Sequence, residues 1–289
     1  VFVAAAFCPH PPLLVPALAC GAGAELDGLR AACDRAVRWL LDTRPQRVLV
    51  LGCGQRARLA GRDAVGSLAG YGVPVRAGFG PDADVRGPTA VPTTVPTTVP
   101  AAGPGLPLSL TIGGWLLTRA GGHLAATGVE VGPAGDLPPL DAGGRVGLLV
   151  LGDGSARRTE SSPGYLDPRG TGFDAEVAAV LGGGDPDALA GLDLALGAEL
   201  LAAGVPAWRA AGALLAGTCY AAELCYHAAP YGVGYFVACW ERAGDAEPTA
   251  SEHRRAARPE ERSGHGKHRG EQGATGAEPA AGGEAGGVG

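Results

Sequence analysis

One histidine stands where an apolar run gives way to prolines. The stretch Phe7-Cys8-Pro9-His10-Pro11-Pro12-Leu13-Leu14-Val15-Pro16 follows apolar residues from Val1 onward. Proline fixes its own φ and drives the preceding residue toward extended conformations. His10 is therefore expected on stiff, non-helical backbone just past a strand end. Open α/β sheets gather their ligand-binding groups at such ends. Neutral imidazole is the commonest metal ligand. The plainer alternative is a strand-end histidine held in a proline turn. A thiolate site built from Cys8, His10 and Cys53 would suit zinc. Against it, cysteine in apolar runs more often behaves as a small buried hydrophobe.

Two further stretches carry polar groups after apolar runs. Gly52-Cys53-Gly54-Gln55 resembles a phosphate loop only in part, because Ala57 breaks the Gly-x-Gly-x-x-Gly spacing. Gly152-Asp153-Gly154-Ser155-Ala156-Arg157-Arg158 reads as a polar turn in which Asp153 bonds nearby amides. Asp153 or Arg157 could instead contact a ligand. Ser155 lacks the Gly-x-Ser-x-Gly elbow, which argues against a hydrolase nucleophile.

The elements that position these groups follow from periodicity. Val1 to Phe7, Val48 to Leu51, Val146 to Leu151 and Tyr231 to Trp240 read as strands. The clearest helix is Glu25 to Leu41, with Leu26, Leu29, Cys33, Val37 and Leu40 on one face. Leu108 to Arg119 and Phe173 to Leu181 also read as helices. Asp185-Pro186 opens another, with Asp as N-cap and Pro at the first position. Leu194 to Ala203 and Pro206 to Ala216 continue the helical run, parted at Gly204. Gly121 to Gly144 is expected as loop with a possible short strand. Strands alternating with helices predict an α/β fold with a mostly parallel central sheet and helices on both faces. Tyr231 to Trp240 is expected in the same sheet as Val1 to Phe7.

Several of these stretches, in order, resemble one family. Cys8 to Pro16 is similar to the N-terminal motif of the class III extradiol ring-cleaving dioxygenases, with the LigB-type fold shared by Memo-like proteins. Arg47 to Leu51, Leu149 to Ser155 and Phe173-Asp174 resemble later segments of the family's single-chain branch. Glu223-Leu224 and Ala229-Pro230-Tyr231-Gly232-Val233-Gly234-Tyr235-Phe236 resemble its closing strand. The resemblance spans Val1 to about Trp240 and implies a LigB-like domain over residues 1–242.

The family holds Fe(II) with two histidines and one carboxylate, leaving positions open for catecholate and O₂. The resemblance implies His10 as the first ligand. The second histidine falls at Gly54. The family's Asp-His pair falls at Pro107-Leu108, and a third histidine falls at Ala156. Asp153 and Ser155 match pocket positions. The acidic ligand is expected at Glu223, with Ala228 as the alternative match. Two functions follow. One is an Fe(II) dioxygenase acting on an aromatic ligand. The other is a degenerate relative that binds a small molecule or partner without redox chemistry. Restoring histidine at Gly54, Leu108 and Ala156 is expected to raise iron affinity, provided a carboxylate remains near.

Composition bounds the rest. The chain has 289 residues, of which 46% are hydrophobic, so a sizeable core is possible. A net charge of -6 argues against a nucleic-acid partner, because phosphate binding needs a basic surface. Methionine is absent and Lys267 is the single lysine, as in a GC-rich coding sequence; Val1 reads as a GTG start translated literally. Seven cysteines without a close CxxC pair predict free thiols in a reducing cytoplasm. No basic n-region precedes an apolar h-region, and no run is long and apolar enough for a membrane span. The proline-rich stretch Phe79 to Gly105, with its Val-Pro-Thr-Thr repeat, is expected to be irregular. Residues 243–289, rich in Gly, Ala, Glu and Arg, are expected to be a disordered tail.

Overall fold

The strands at the centre of the sheet contain almost no polar side chain, and both of their faces are covered. A computed structural model of the chain describes residues 1–19, 24–61, 63–80, 105–121, 125–141 and 143–244. The proline-rich repeat, His123 and the expected tail from residue 245 onward lie outside the described residues. Strands β1 (Phe2–Cys8), β2 (Arg47–Cys53), β6 (Ala125–Val131) and β7 (Val146–Leu151) form the middle. Every residue of β7 is buried. Near-continuous apolar strands are the mark of a sheet covered on both sides.

The seven-stranded sheet has the order β3-β6-β2-β7-β1-β9-β8. Its two end strands are β3 (Arg58–Ala60) and β8 (Tyr220–Ala228), and β9 (Tyr235–Arg242) lies between β1 and β8. Neighbours β6, β2, β7 and β1 pair in parallel, whereas β3, β9 and β8 join antiparallel. The sheet is therefore mixed, and the expected parallel pairing holds only for its four-strand centre. The closing strand β9 lies beside β1, with Phe7 opposite Ala238 and Ala4 opposite Glu241. A separate ribbon pairs β4 (Val65–Ser67) with β5 (Arg76–Gly78).

Helices cover both faces. On one side lie α1 (Asp27–Asp42) and α2 (Leu108–Arg119). The apolar face expected for the first helix is buried there at Leu26, Leu29, Cys33, Val37 and Leu40. On the other side the core is closed by α3 (Arg169–Gly183), α4 (Pro186–Ala190) and α6 (Val205–Leu215), with α5 (Leu194–Glu199) between the last two. Asp185 caps α4, its Oδ1 accepting from the amides of Asp187 at 2.9 Å and Ala188 at 3.2 Å. Helix α5 stops short of Ala203 because Leu201 turns left-handed, at φ 55°.

The second side is anchored by aromatics. Trp240 packs at a tilt against Phe7 with centroids 5.0 Å apart, and its indole N–H donates to Leu181 O at 2.7 Å. Trp208 meets Phe236 edge-on at 5.8 Å. The final strand starts later than expected, since Tyr231 (φ 58°) and Gly232 (φ 73°) form a left-handed turn ahead of it.

Candidate functional site

Strands β2, β7 and β1 are neighbours, so the loops leaving their C-terminal ends meet. Chain leaving β1 and β2 goes to the α1–α2 side, and chain leaving β7 goes to the α3–α6 side. Strands whose connections diverge in this way open a crevice at their carboxyl ends.

After β1, Pro11 (φ -65°, ψ 142°) keeps the chain extended until a 3₁₀ turn at Pro12–Leu14. Arg30 of α1 fastens that turn, donating to Leu13 O at 2.8 Å and Leu14 O at 2.9 Å. His10 is 8% exposed. Its amide donates to Asp153 Oδ1 at 2.8 Å, joining the loops after β1 and β7. His10 Nδ1 lies 3.6 Å from the same oxygen, too long for a hydrogen bond, and has no other partner among the described residues. Burial raises the Asp153 carboxyl above the usual range, with the charge and amide of His10 opposing the shift. His10 and Asp153 are the two expected site residues that the structure brings together.

The loop after β2 is occupied differently. Glu130 of β6 is 4% exposed and lies between two valines. Its carboxylate accepts from the Gln55 amide at 2.9 Å and forms an ion pair with Arg58. A Cβ at Gly54 would collide with that carboxylate. The place where the resemblance puts a second histidine is thus filled by a buried carboxylate–arginine pair. Histidine at 54 does not fit unless Glu130 moves, which corrects the expectation that the substitution simply restores a ligand.

The remaining expected residues do other work. Ser155 is fully buried. Its amide donates to Asp174 Oδ1 at 2.9 Å, and its hydroxyl donates to Leu200 O and accepts from the Arg157 amide. Its amide and hydroxyl are thus both bonded inside the fold. Asp174 is itself fully buried and accepts from Arg158 Nη1 at 2.6 Å. Gly154 and Gly234 are glycines because a Cβ at either would strike this carboxylate. Ala156 lies in the same turn, its amide donating to Leu200 O at 3.1 Å. Leu108 packs on the α1–α2 side at the start of α2, whose Ser109 hydroxyl donates to Cys53 O at 2.8 Å.

Glu223 is exposed on β8, opposite Cys239, which in turn faces Ala6. That places it two strands from β1 and well before the end that carries His10. Ala228 pairs with Tyr235. The thiolate arrangement is also divided. Cys8 packs on the α1 side beside Cys33, whereas Cys53 packs toward α6. Burial pushes the Cys53 thiol up to about 12.

These donors do not fit an iron centre of two histidines and one carboxylate. His10 and Asp153 supply one of each, and the third position is taken by Glu130, already committed to Arg58 and Gln55. Among the described residues no group of three or more His, Cys, Asp or Glu could hold a metal ion.

Beside the end of β2 an apolar cleft of about 460 Å³ opens against α5 and α6. Cys53, Gly54, Pro133, Leu194, Ala198 and Pro206 are among its walls. Gly204, at the turn into α6, donates its amide to Asp153 O at 2.8 Å, tying this side to the loop after β7.

Glu130 was not foreseen from sequence, and Asp174 entered there only as part of a motif, with no partner assigned. The available signals were a lone charge inside the apolar run of β6, and glycines flanking Ser155 and preceding Tyr235. No protein-family model and no curated protein matches the chain.

Proposed function

We propose that this chain is a class III extradiol dioxygenase-like protein, with a LigB-like version of its mixed sheet, whose iron site is degenerate. In this reading it binds a small aromatic or apolar molecule and does not cleave rings. Support for the ancestry comes from the ordered motifs and from the adjacency of the strands that carry them, β1, β7 and β2. The observation that carries the loss of chemistry is the Glu130–Arg58 pair in the space a histidine at position 54 would need. A carboxylate neutralised by arginine and a backbone amide is a poor substitute for imidazole as an iron ligand.

The retained function is assigned to the cleft. Its walls are largely apolar, its volume suits a small ligand, and it lies at the carboxyl ends of parallel strands. The test combines an oxygen electrode with fluorescence. Purified chain supplied with Fe(II) and a panel of catechols should take up no oxygen above buffer controls. The same catechols should quench Trp208, on the first turns of α6, saturably. Catechol-dependent oxygen uptake would overturn the degenerate reading, and absence of saturable quenching would overturn the assignment to the cleft.

A further inference from the structure

Four thiols gather on the α1 side of the sheet, away from the apolar cleft. Cys8 of β1 and Cys33 of α1 are fully buried, and Cys225 of β8 and Cys239 of β9 pack against the same cluster. The outer two share one face of neighbouring strands, beside an irregularity in the β8–β9 pairing. Leu224 faces Ala238 and Tyr226 faces Val237, which leaves Cys225 unpaired between them. In a regular strand, Cys225 and Tyr226 would point to opposite faces. Here both pack on the α1 side. Bulges re-aim side chains in this way. Tyr220, Ala222 and Leu224 pack on the opposite side, so Cys225 keeps the alternation of the strand before it and the side chain re-aimed is Tyr226. Cys225 Sγ lies 3.8 Å from Cys239 Sγ.

We propose that Cys225 and Cys239 form a thiol–disulfide site that is oxidised by a low-molecular-weight disulfide. The two sulfurs sit on adjacent strands, close enough for side-chain rotation to reach the about 2.0 Å of a disulfide bond. Both are half-buried, but Cys225 is on the edge strand and Cys239 lies one strand further in. Cys225 is therefore the attacking sulfur and Cys239 the resolving one.

The local charges agree with that order. Burial and the Glu223 carboxylate raise the Cys225 thiol, while the contact with Cys239 and the nearby Arg35 guanidinium oppose the shift. Burial pushes Cys239 up much further, and its contact with Cys225 adds to the rise.

The exchange balances as two displacements. The Cys225 thiolate attacks one sulfur of the small disulfide, forming a mixed disulfide and releasing one small thiolate. Cys239 gives up its proton and attacks the Cys225 sulfur, and the second small thiolate leaves. The protein loses two electrons, and the small disulfide is reduced to two thiols, which take up the protons of Cys225 and Cys239. In a reducing environment such a pair stays open and closes only under oxidising conditions.

The test uses the full chain, treated with oxidised glutathione and then with N-ethylmaleimide. Chymotrypsin, which cuts at Tyr226 and Phe236 between the two cysteines, separates them for mapping. The expected product has lost two hydrogens, has two fewer alkylated thiols, and carries a Cys225–Cys239 cross-link that dithiothreitol reverses. Cys239→Ser should instead retain a glutathione adduct at Cys225, and Cys225→Ser should form neither product. Alkylation of both Cys225 and Cys239 after oxidation would overturn the proposal. So would a cross-link that joins Cys8 to Cys33, or one that involves only the exposed Cys219. The unmodified chain answers the question by itself if either variant fails to fold.

Discussion

The loops after β1 and β2 leave strands on either side of β7, yet they have been filled in opposite ways. After β1 the chain keeps an imidazole at position 10, buried and clamped through its backbone by Asp153, with no hydrogen-bond partner for Nδ1 among the described residues. After β2 it keeps no side chain at position 54, and a neighbouring strand inserts Glu130 there, bonded to Arg58 and Gln55. The first loop is satisfied through its backbone, which leaves the side chain free for chemistry. The second is satisfied through side chains, which consumes the space. Under the proposed ancestry, loss of a ligand residue is therefore more than a deletion, because its place has been rebuilt as a structural ion pair.

That contrast breaks most visibly at position 54. Gly54→His must expel the Glu130 carboxylate, leaving Arg58 and the Gln55 amide without their partner. Urea unfolding should show a loss of about 4 kcal/mol, the range of a broken buried network. A loss below about 1 kcal/mol would mean that the space is open after all. Glu130→Ala should come next, costing about 2 kcal/mol, because Arg58 loses its carboxylate but stays partly exposed and bonded to Gly105 O. The two positions should be coupled: Gly54→Ala should cost clearly less in the Glu130→Ala background than in the unmodified chain. Additive effects would show that they do not share one space.

The first loop should give a smaller, pH-dependent effect. The Asp153 carboxyl is raised in the folded protein, so the folded state holds its proton more tightly than the unfolded state does. Its contribution is most favourable below the ordinary carboxylate range and is lost as pH rises through the raised value. Asp153→Asn removes that titration. Unfolding free energies measured from acid to neutral pH should therefore show the variant gaining on the unmodified chain as pH rises. A gap that stays constant would place the carboxyl in a solvated setting.

The smallest effect on stability is expected in the cleft. Ala198 is exposed on α5 and lines the cavity. Ala198→Phe, which blocks the cleft without adding a tryptophan, should change stability by less than about 0.5 kcal/mol. Quenching of Trp208 by catechols should nevertheless disappear, and retained quenching would move the ligand elsewhere.

Much of the scaffold was legible because burial on both faces writes itself into sequence. Val48 to Leu51 and Val146 to Leu151 could hardly be anything but central strands, and α2 spans Leu108–Arg119 as its apolar run implied. Strand β8 was missed for a physical reason. Its sequence, Tyr-Ala-Ala-Glu-Leu-Cys-Tyr-His-Ala, has no β-branched residue, and it is a strand only because β9 pairs with it. The expected mostly parallel sheet failed at its edges, where short or late strands joined antiparallel. At the site, His10 and Asp153 could be read because each follows a recognisable strand end. Glu130 could not, because nothing in the local sequence ties position 130 to position 54. That relation exists only once β6 lies beside β2. Glu223 was drawn in by its place before a closing motif, and the strand pairing puts it beside Cys239 instead.

If a carboxylate–arginine pair stands in place of a metal ligand in the loop after β2, the exchange should be reversible by mutation. Metal analysis after Fe(II) loading and desalting decides this, comparing the unmodified chain with the double variant Gly54→His/Glu130→Ala. The unmodified chain should retain no iron above background, and the variant in which the histidine has room should retain measurably more. Stoichiometric iron in the unmodified chain would refute the replacement.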